Sequence, residues 1–228
     1  MVAGTAEIDD VSVKSIFRWQ RGTTARGRSD HAEGRSMPRR LRPSQIQLIA
    51  MVVGASLYAA AGYFSFVAQV PGTDGVYIRP AFAILPFFGI VFGPIVGFVT
   101  GFAGNMAADQ ATGYGFLTAP WWHIATGMVG LVAALMVGRL RSNHLWIENR
   151  IELAAAVGVC ATVIGFAMVF GEVLTAGLAF GDVLATEFLP AVVWNGLTTT
   201  IGLPLLLLAW DHRPSLRPLT AVAPDGIR

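Results

Sequence analysis

Charge is scarce in this sequence, and cysteine and lysine are almost missing. Only 13% of the 228 residues are charged and 54% are hydrophobic, far from the balance of a soluble globular domain. Cys160 is the single cysteine, which excludes an internal disulfide and a cysteine-based metal site. Lys14 is the single lysine, and no Walker-type nucleotide motif surrounds it. The composition predicts an all-α integral membrane protein.

The first 43 residues depart from this apolar composition. Nine of the sixteen Lys and Arg residues lie there together with five acids, and no apolar signal region or small-residue cleavage site is present. We therefore interpret residues 1–43 as a basic, disordered cytoplasmic tail, residues 44–212 as the membrane domain, and residues 213–228 as a short cytoplasmic tail. The net charge of +2 reflects this topology and does not indicate a nucleic-acid partner.

One of the apolar segments is long enough to be divided. The segments are residues 44–68, 80–108, 121–138, 151–177 and 188–210. The second contains 29 residues without a charge, roughly 43 Å as a helix against a hydrocarbon core of about 30 Å. Its Gly93-Pro94 pair predicts a break into two short helices.

Charge parity favours six spans over five. With six, the loop that contains Arg139, Arg141 and Arg150 lies on the same side as both tails, and that side holds fifteen of the sixteen basic residues. With five, this loop would face outward. The sequence predicts a six-helix membrane domain with cytoplasmic N and C termini, in a multi-pass protein of a cell membrane.

Polar and aromatic residues collect at the outer ends of these spans. Asp109 ends the third helix, and its plain structural reading is a helix cap or a partner of Arg79. Interfacial tryptophans are equally well explained as an aromatic belt. Glu172 lies deeper in the fifth span, where an unpaired carboxylate is costly.

Taken together, these residues have the composition of a pocket for a planar small molecule, with stacking surfaces and a few orienting hydrogen bonds. Tyr77 is a further stacking candidate. The predicted substrate-binding residues are Arg79, Phe87, Asn105, Asp109, Tyr114, Trp121, Trp122, His123, Glu172, Trp194 and Asn195. The sequence contains no HExxH or GxSxG motif and no pair of carboxylates at a spacing typical of acid–base catalysis. We therefore expect that the protein is not an enzyme and has no catalytic residue, metal or cofactor.

Small residues recur at four-residue spacing in two places. Gly93, Gly97 and Gly101 are followed at the same spacing by Asn105 and Asp109. Four residues turn an α-helix by about 400°, so each successive residue of this row is rotated by roughly 40° about the helix axis. We expect the glycines to face a helix and the polar pair to face the pocket. In the first span, two small-residue ridges favour either internal packing or docking to another membrane protein. These ridges are Ala50 with Gly54 and Ala55 with Ala59.

Three runs carry a resemblance to a known family. They are YIRPAFAILPFFGIVFGPIVGFVTGFAGNMAADQATGYG (residues 77–115), PWWHIATGMVGLVAALMVGRL (120–140) and VVWNGLTTTIGLPLLLLA (192–209). Together they resemble the substrate-specific S components of energy-coupling factor (ECF) transporters, within the riboflavin-type group, over about residues 45–209. The FGPIVG turn, the NxxxD helix end with its GYG loop, the tryptophan-led fourth helix and the NG of the sixth occur in the family's order.

The resemblance implies a six-helix fold that binds a vitamin-like molecule from outside, with riboflavin favoured. It also implies two kinds of partner, an ECF transmembrane coupling subunit and two ABC ATPases, beside membrane lipid. Docking through small residues of the first helix would then use Ala50, Gly54, Ala55 or Ala59. The basic tail is longer than the family's usual leader.

Two other functions stay open from the residues. One is a proton-coupled secondary transporter with Asp109 or Glu172 as its proton site, although such proteins generally show more spans and inverted repeats. The other is an intramembrane enzyme or a structural membrane protein. The missing catalytic constellation disfavours the enzyme, and the aromatic, polar outer rim disfavours the purely structural role.

Overall fold

The computed structural model describes residues 43–64, 68–73, 76–142, 146 and 150–212. The predicted tails, apart from Pro43, lie outside the described residues. The described part is mainly helical, as the composition predicts.

The first half of the membrane domain combines a small hairpin with three helices. Strands β1 and β2 pair antiparallel, with Ala68 opposite Ile78. In chain order the elements are α1 (Pro43–Phe64), β1 (Ala68–Gln69), β2 (Tyr77–Ile78), a 3-10 turn (Pro80–Ala83), α2 (Ile84–Phe92) and α3 (Pro94–Ala111).

The second half contains two long helices and one interrupted helix. The interruption is a 3-10 turn that separates α5 from a short continuation. The elements are α4 (Pro120–Ser142), α5 (Arg150–Phe166), a 3-10 turn (Ala167–Phe170), α6 (Gly171–Thr175), α7 (Phe180–Asp182), a π-helical turn (Val183–Phe188) and α8 (Leu189–Asp211).

Among the described residues, four helical stretches are long and apolar enough to cross a membrane, judged by length and composition. They are Ser44–Phe64, Pro120–Ser142, Arg150–Thr175 and Phe180–Asp211. The stretch Pro80–Phe92 is apolar but shorter, and α3 has 18 residues. Helices therefore form within each of the predicted apolar segments. Whether the two shorter helical stretches, Pro80–Phe92 and α3, also cross the bilayer stays a prediction.

The predicted break at Gly93-Pro94 is confirmed. α2 ends at Phe92, Gly93 adopts φ 113°, and Pro94 begins α3. Positive φ is accessible to glycine because it lacks a Cβ atom, and proline suits the first turn of a helix because it needs no backbone N–H partner there. The sequence pair therefore folds the chain back between two helices.

Three glycines allow α2, α3 and α4 to meet backbone to backbone. A Cβ atom added at Gly97 would lie 2.6 Å from both the Gly130 carbonyl oxygen and the Gly89 Cα. A Cβ atom at Gly101 would collide with the backbone of Thr126 on α4. Gly97 and Gly101 therefore face a helix, as predicted. Gly93 instead forms the break between α2 and α3. A Cβ atom added there would have the Gln47 side chain as its nearest neighbour, with Nε2 at 3.9 Å.

α3 also packs on α1, one to two turns further along the helix. A Cβ atom at Gly104 would lie 3.0 Å from the Ala55 carbonyl oxygen, and one at Gly54 would meet the side chains of Thr100 and Phe88. Ala50 and Gly54 are both buried, so the first small-residue ridge of α1 is used inside this chain. Only 22% of the α1 span is buried, against 39% to 44% of the other three candidate spans. Most of α1 therefore faces outward.

We expect Gly97→Ala to lower the free energy of unfolding by about 1–3 kcal/mol, because overpacking forces the three helices apart. The measurement is the thermal unfolding midpoint of the purified protein in detergent. Gly138→Ala on α4 is the matched control, since nothing lies within 4 Å of its added Cβ atom and alanine favours helix by up to about 1 kcal/mol. Equal midpoints for the two variants would contradict the close approach.

Candidate functional site

A cavity opens near the end of the bundle where α3 stops and α4 begins. The space open to the centre of a water molecule is about 160 Å³, roughly ten times what one water molecule needs by the same measure. Its lining residues come from five helices, the hairpin, the first 3-10 turn and the α3–α4 loop. They are Tyr58, Tyr77, Arg79, Phe82, Asn105, Asp109, Tyr114, Ala119, Trp122, Thr126, Phe166 and Asn195.

One wall of the cavity is a hydrogen-bonded network around Arg79. The Arg79 Nη1 atom donates to Asn105 Oδ1 at 2.5 Å, and Nη2 lies 3.5 Å from Asp109 Oδ1. Asn105 Nδ2 donates to Asp109 Oδ2 at 3.1 Å and to His123 Nδ1 at 2.9 Å. Asn105 and Asp109 are four residues apart on α3 and therefore share one face of the helix. The guanidinium charge is thus compensated within the wall.

A second wall is aromatic. The rings of Phe82 and Phe166 stack with centroids 5.5 Å apart, and Trp122 meets Phe166 edge to face at 5.6 Å. Phe82 and Phe166 are each only 1% exposed, so their positions are held by packing. Such a surface suits a planar, weakly polar ligand.

Two tyrosines meet at the mouth of the cavity. The hydroxyl groups of Tyr77 and Tyr114 lie 2.7 Å apart and form a hydrogen bond. Tyr77 belongs to the hairpin strand β2, whereas Tyr114 belongs to the α3–α4 loop. The bond therefore links two connecting segments at the exposed side of the cavity.

The structure brings six of the predicted binding residues to the cavity. These are Arg79, Asn105, Asp109, Tyr114, Trp122 and Asn195. His123 lies behind the wall, 1% exposed and bonded to Asn105. Ligand contact by any of these residues stays a prediction.

The other predicted residues lie away from the cavity. Phe87 packs against Trp210, which is fifteen residues beyond Asn195 on α8, or about 22 Å along the helix. The Trp121 indole nitrogen donates to Thr175 Oγ1 at 2.9 Å. Trp194 is 36% exposed on the outer face of α8. Phe87 and Trp121 contact other protein side chains, and Trp194 is partly exposed on the surface, so none of the three lines the cavity.

Glu172 has a partner that the sequence did not reveal. Its carboxyl group lies near that of Glu187 in the π-helical turn, and both lie near the Trp122 side chain. A π-helical turn is often found at functional sites. No three His, Cys, Asp or Glu side chains of the described segments are grouped so that they could hold a metal ion.

Several lining residues were missed by sequence reasoning. Tyr58, Phe82 and Phe166 lie within apolar runs, where an aromatic residue that faces a cavity looks the same as one that faces the core. Thr126 carries a weak signal, because it follows Trp122 by four residues on α4. Its hydroxyl donates to the backbone carbonyl oxygens around it, including that of Gly101 at 3.2 Å.

Apolar helices around a cavity with one charge-compensated wall and one aromatic wall define a membrane protein that can bind a small molecule. The chain belongs to the family described as "ECF-type riboflavin transporter, S component", whose sequence model matches residues 42–211. This confirms the resemblance found in the sequence. The family is that of a transporter component, not an enzyme.

Streptococcal proteins are among the relatives. A protein named UPF0397 protein from Streptococcus gordonii (strain Challis) is 34% identical over 175 residues, which cover 72% of this chain and 87% of the relative. Another UPF0397 protein, from Streptococcus pneumoniae serotype 19F (strain G54), is 32% identical over 173 residues, or 72% of this chain and 88% of the relative. These names carry no substrate. No solved structure matches the chain.

We expect the Arg79–Asp109 pair to be energetically coupled. In a double-mutant cycle with Arg79→Gln and Asp109→Asn, we predict a coupling free energy of at least about 1 kcal/mol, because either single change leaves a largely buried charge without its partner. The side chains are 21% and 12% exposed. The measurement is reversible unfolding in detergent.

The control is the Arg150–Asp211 pair, whose side chains are 34% and 40% exposed. Solvent screening should keep its coupling within about 0.2–1 kcal/mol. Strictly additive effects of Arg79→Gln and Asp109→Asn would show that the wall does not behave as a unit.

Proposed function

We propose that this chain is the substrate-binding membrane subunit of an ECF-type importer in a prokaryotic cell membrane. Its ligand is a vitamin, with riboflavin or a related heteroaromatic micronutrient favoured. The observation that carries the proposal is the cavity itself, which is lined by the stacked pair Phe82–Phe166, by Trp122 and by the Arg79 network. Family membership over residues 42–211 supports the same reading.

The position of the cavity supports import from outside. It lies where α3 ends and α4 begins, whereas Arg139 and Arg141 lie at the other end of α4. Basic residues favour the cytoplasmic side, so the cavity end is the outer end in a six-span topology with cytoplasmic termini. A ligand would then enter past the Tyr77–Tyr114 bond and lie between the two walls.

Family membership also favours substrate binding over proton-coupled transport. S components bind a substrate and depend on a transmembrane coupling subunit and ATPase subunits for energy, which this family therefore implies as partners. In the structure Asp109 is held by Arg79 and Asn105, an arrangement that suits a fixed wall better than a carboxylate that exchanges protons during each cycle.

The first test is to purify the chain alone in detergent, denature it, and identify any released small molecule by absorption and mass spectrometry. We expect a near-stoichiometric vitamin or, in an empty preparation, nanomolar binding from a vitamin panel, which corresponds to about 12 kcal/mol of binding free energy. A flavin would support the favoured ligand, and another vitamin would keep the class and discard riboflavin. No bound and no binding vitamin would overturn the proposal.

Matched tryptophan variants locate the ligand in the same experiment. Trp122→Ala should weaken binding at least tenfold, since stacking on one aromatic side chain accounts for about 1–3 kcal/mol. Trp194→Ala is the comparison, because Trp194 lies outside the cavity and is exposed on α8. Equal loss in both variants, or no loss in either, would move the binding site elsewhere.

Docking to the coupling subunit is a second part of the proposal, and we place it on the exposed face of α1. Ala50 and Gly54 are packed inside, and Ala55 lies against Gly104 of α3. Ser56 and Ala60 are exposed and four residues apart, the spacing that allows close helix contact. Of the small residues predicted for docking, Ala59 is half-buried beside this strip.

Ala60→Trp should reduce ATP-driven uptake at least tenfold in cells that also produce the coupling module, because the bulky ring blocks close approach of a partner helix. Binding of the vitamin to the isolated chain should not change. Ile201→Trp is the control, as Ile201 is similarly exposed on α8. If Ala60→Trp and Ile201→Trp support equal uptake, docking occurs on another face.

A further inference from the structure

The side chain of Asn195 is a buried polar group without a partner. Asn195 lies on α8, is 3% exposed, and lines the cavity. Its Oδ1 atom is buried and accepts no hydrogen bond from the described residues. The hydroxyl groups of Thr198 and Thr199 donate to its backbone carbonyl oxygen, not to its side chain. Buried amide groups are nearly always satisfied in folded proteins, so a partner for this one is expected from outside the described residues.

Most other polar side chains at the cavity have partners already, and the exception is Tyr58, whose buried hydroxyl likewise has no hydrogen-bond partner among the described residues. Arg79, Asn105 and Asp109 bond to one another, and the Thr126 hydroxyl donates to backbone carbonyl oxygens. Tyr77 bonds to the hydroxyl of the opposing tyrosine at the mouth. The Asn195 carboxamide is therefore available to a ligand without breaking an existing bond.

The charge of the lining restricts the ligand further. Arg79 and Asp109 are the charged residues among those that line the cavity, and they lie 3.5 Å apart. Their charges cancel, so the cavity offers no net charge to attract an ion. The aromatic wall of Phe82, Trp122 and Phe166 adds a requirement for a planar shape. An uncharged, planar ligand fits both conditions.

A carboxamide presents one acceptor and one donor side by side. Rotation about the soft χ2 torsion of asparagine turns either atom toward the cavity. The group that matches it is a ring edge where a donor N–H stands next to a carbonyl oxygen or a ring nitrogen. Asparagine pairs with adenine in this bidentate manner in protein–DNA complexes.

We infer that Asn195 selects the ligand by a bidentate hydrogen bond to such a donor–acceptor edge of an uncharged, planar heterocycle. This inference rests on the proposed function and narrows it, because it excludes ligands that are recognised by their charge. It also assigns to α8 the discrimination between heterocycles of similar size, and leaves stacking to the aromatic wall.

The test compares two parent compounds with analogues whose edge is blocked. The probes are riboflavin with 3-methylriboflavin, and 4-amino-5-hydroxymethyl-2-methylpyrimidine with its 4-dimethylamino analogue. Affinities are measured by isothermal titration calorimetry on the purified full chain in detergent. We expect the wild-type protein to bind one parent at least tenfold more tightly than its blocked analogue. Equal affinity for parent and analogue would overturn the inference with no variant needed.

Two variants assign this preference to Asn195. Asn195→Leu removes both hydrogen-bonding atoms, and Asn195→Asp is isosteric but lacks the donor, so each should weaken binding of the parent at least tenfold. Asn195→Leu should also abolish the preference over the blocked analogue. The control is Thr200→Val on α8, because Thr200 is half-buried, bonds to the Gly196 carbonyl oxygen and does not line the cavity. This variant should keep both affinity and preference.

The outcomes separate the two claims. Wild-type binding with a preference that survives in Asn195→Leu and Asn195→Asp would overturn the inference and leave the proposed function standing. Failure of the wild-type protein to bind either parent, together with failure to bind any other vitamin, would overturn both.

Discussion

The backbone contact among Gly89, Gly97 and Gly130 is the constraint on which the rest of this arrangement depends. Gly89 and Gly97 lie four residues on either side of Gly93, so their contact means that the chain reverses direction at the Gly93-Pro94 pair. Gly130 brings α4 against both helices at the same point. Helices separated by side chains lie about 8–10 Å apart, and only residues without a Cβ atom allow this closer approach.

This contact sets the position of the polar wall. Asn105 and Asp109 continue the four-residue spacing of Gly97 and Gly101 beyond the point where α3 touches α4, and they end beside His123 at the start of α4. The drift of about 40° per step turns them off the contact and toward Arg79. A charged group in this region needs compensation because exposure to water is limited, and the Asp109 carboxylate supplies it.

The division of labour across the cavity follows from these two features. Arg79 and the α3 residues Asn105 and Asp109 form a polar side whose groups bond to one another. Phe82 of the first 3-10 turn, Trp122 of α4 and Phe166 of α5 contribute the aromatic surface. Asn195 stands apart on α8 with an unsatisfied amide oxygen. A site built in this way recognises shape and hydrogen-bonding pattern more than charge. Membership of the S-component family places the site in a transporter subunit. The names of the streptococcal relatives give no substrate, so the substrate class has to be inferred from the chemistry of the cavity.

The amino-acid sequence by itself determined the apolar helical segments, the break at Gly93-Pro94 and the glycine face of α3. Hydrophobic run length and four-residue spacing are properties of one helix, and they can be read before any packing is known. The family could also be recognised, because its motifs are local runs in a given order.

Only the tertiary structure decided which faces meet. Small residues recur every four positions on several faces of α1, and the sequence does not rank them. In the structure Gly54 and Ala55 pack on α3, whereas Ser56 and Ala60 remain exposed. Glu187 lies near Glu172, although they belong to different helical segments whose relative placement no sequence periodicity predicts. Phe87 and Trp122 are both aromatic residues near a helix end, and only the fold separates the cavity from the opposite end of the bundle. The physical reason is that the sequence specifies spacing along each helix, whereas rotation of one helix against its neighbours is set by how all of their side chains pack together.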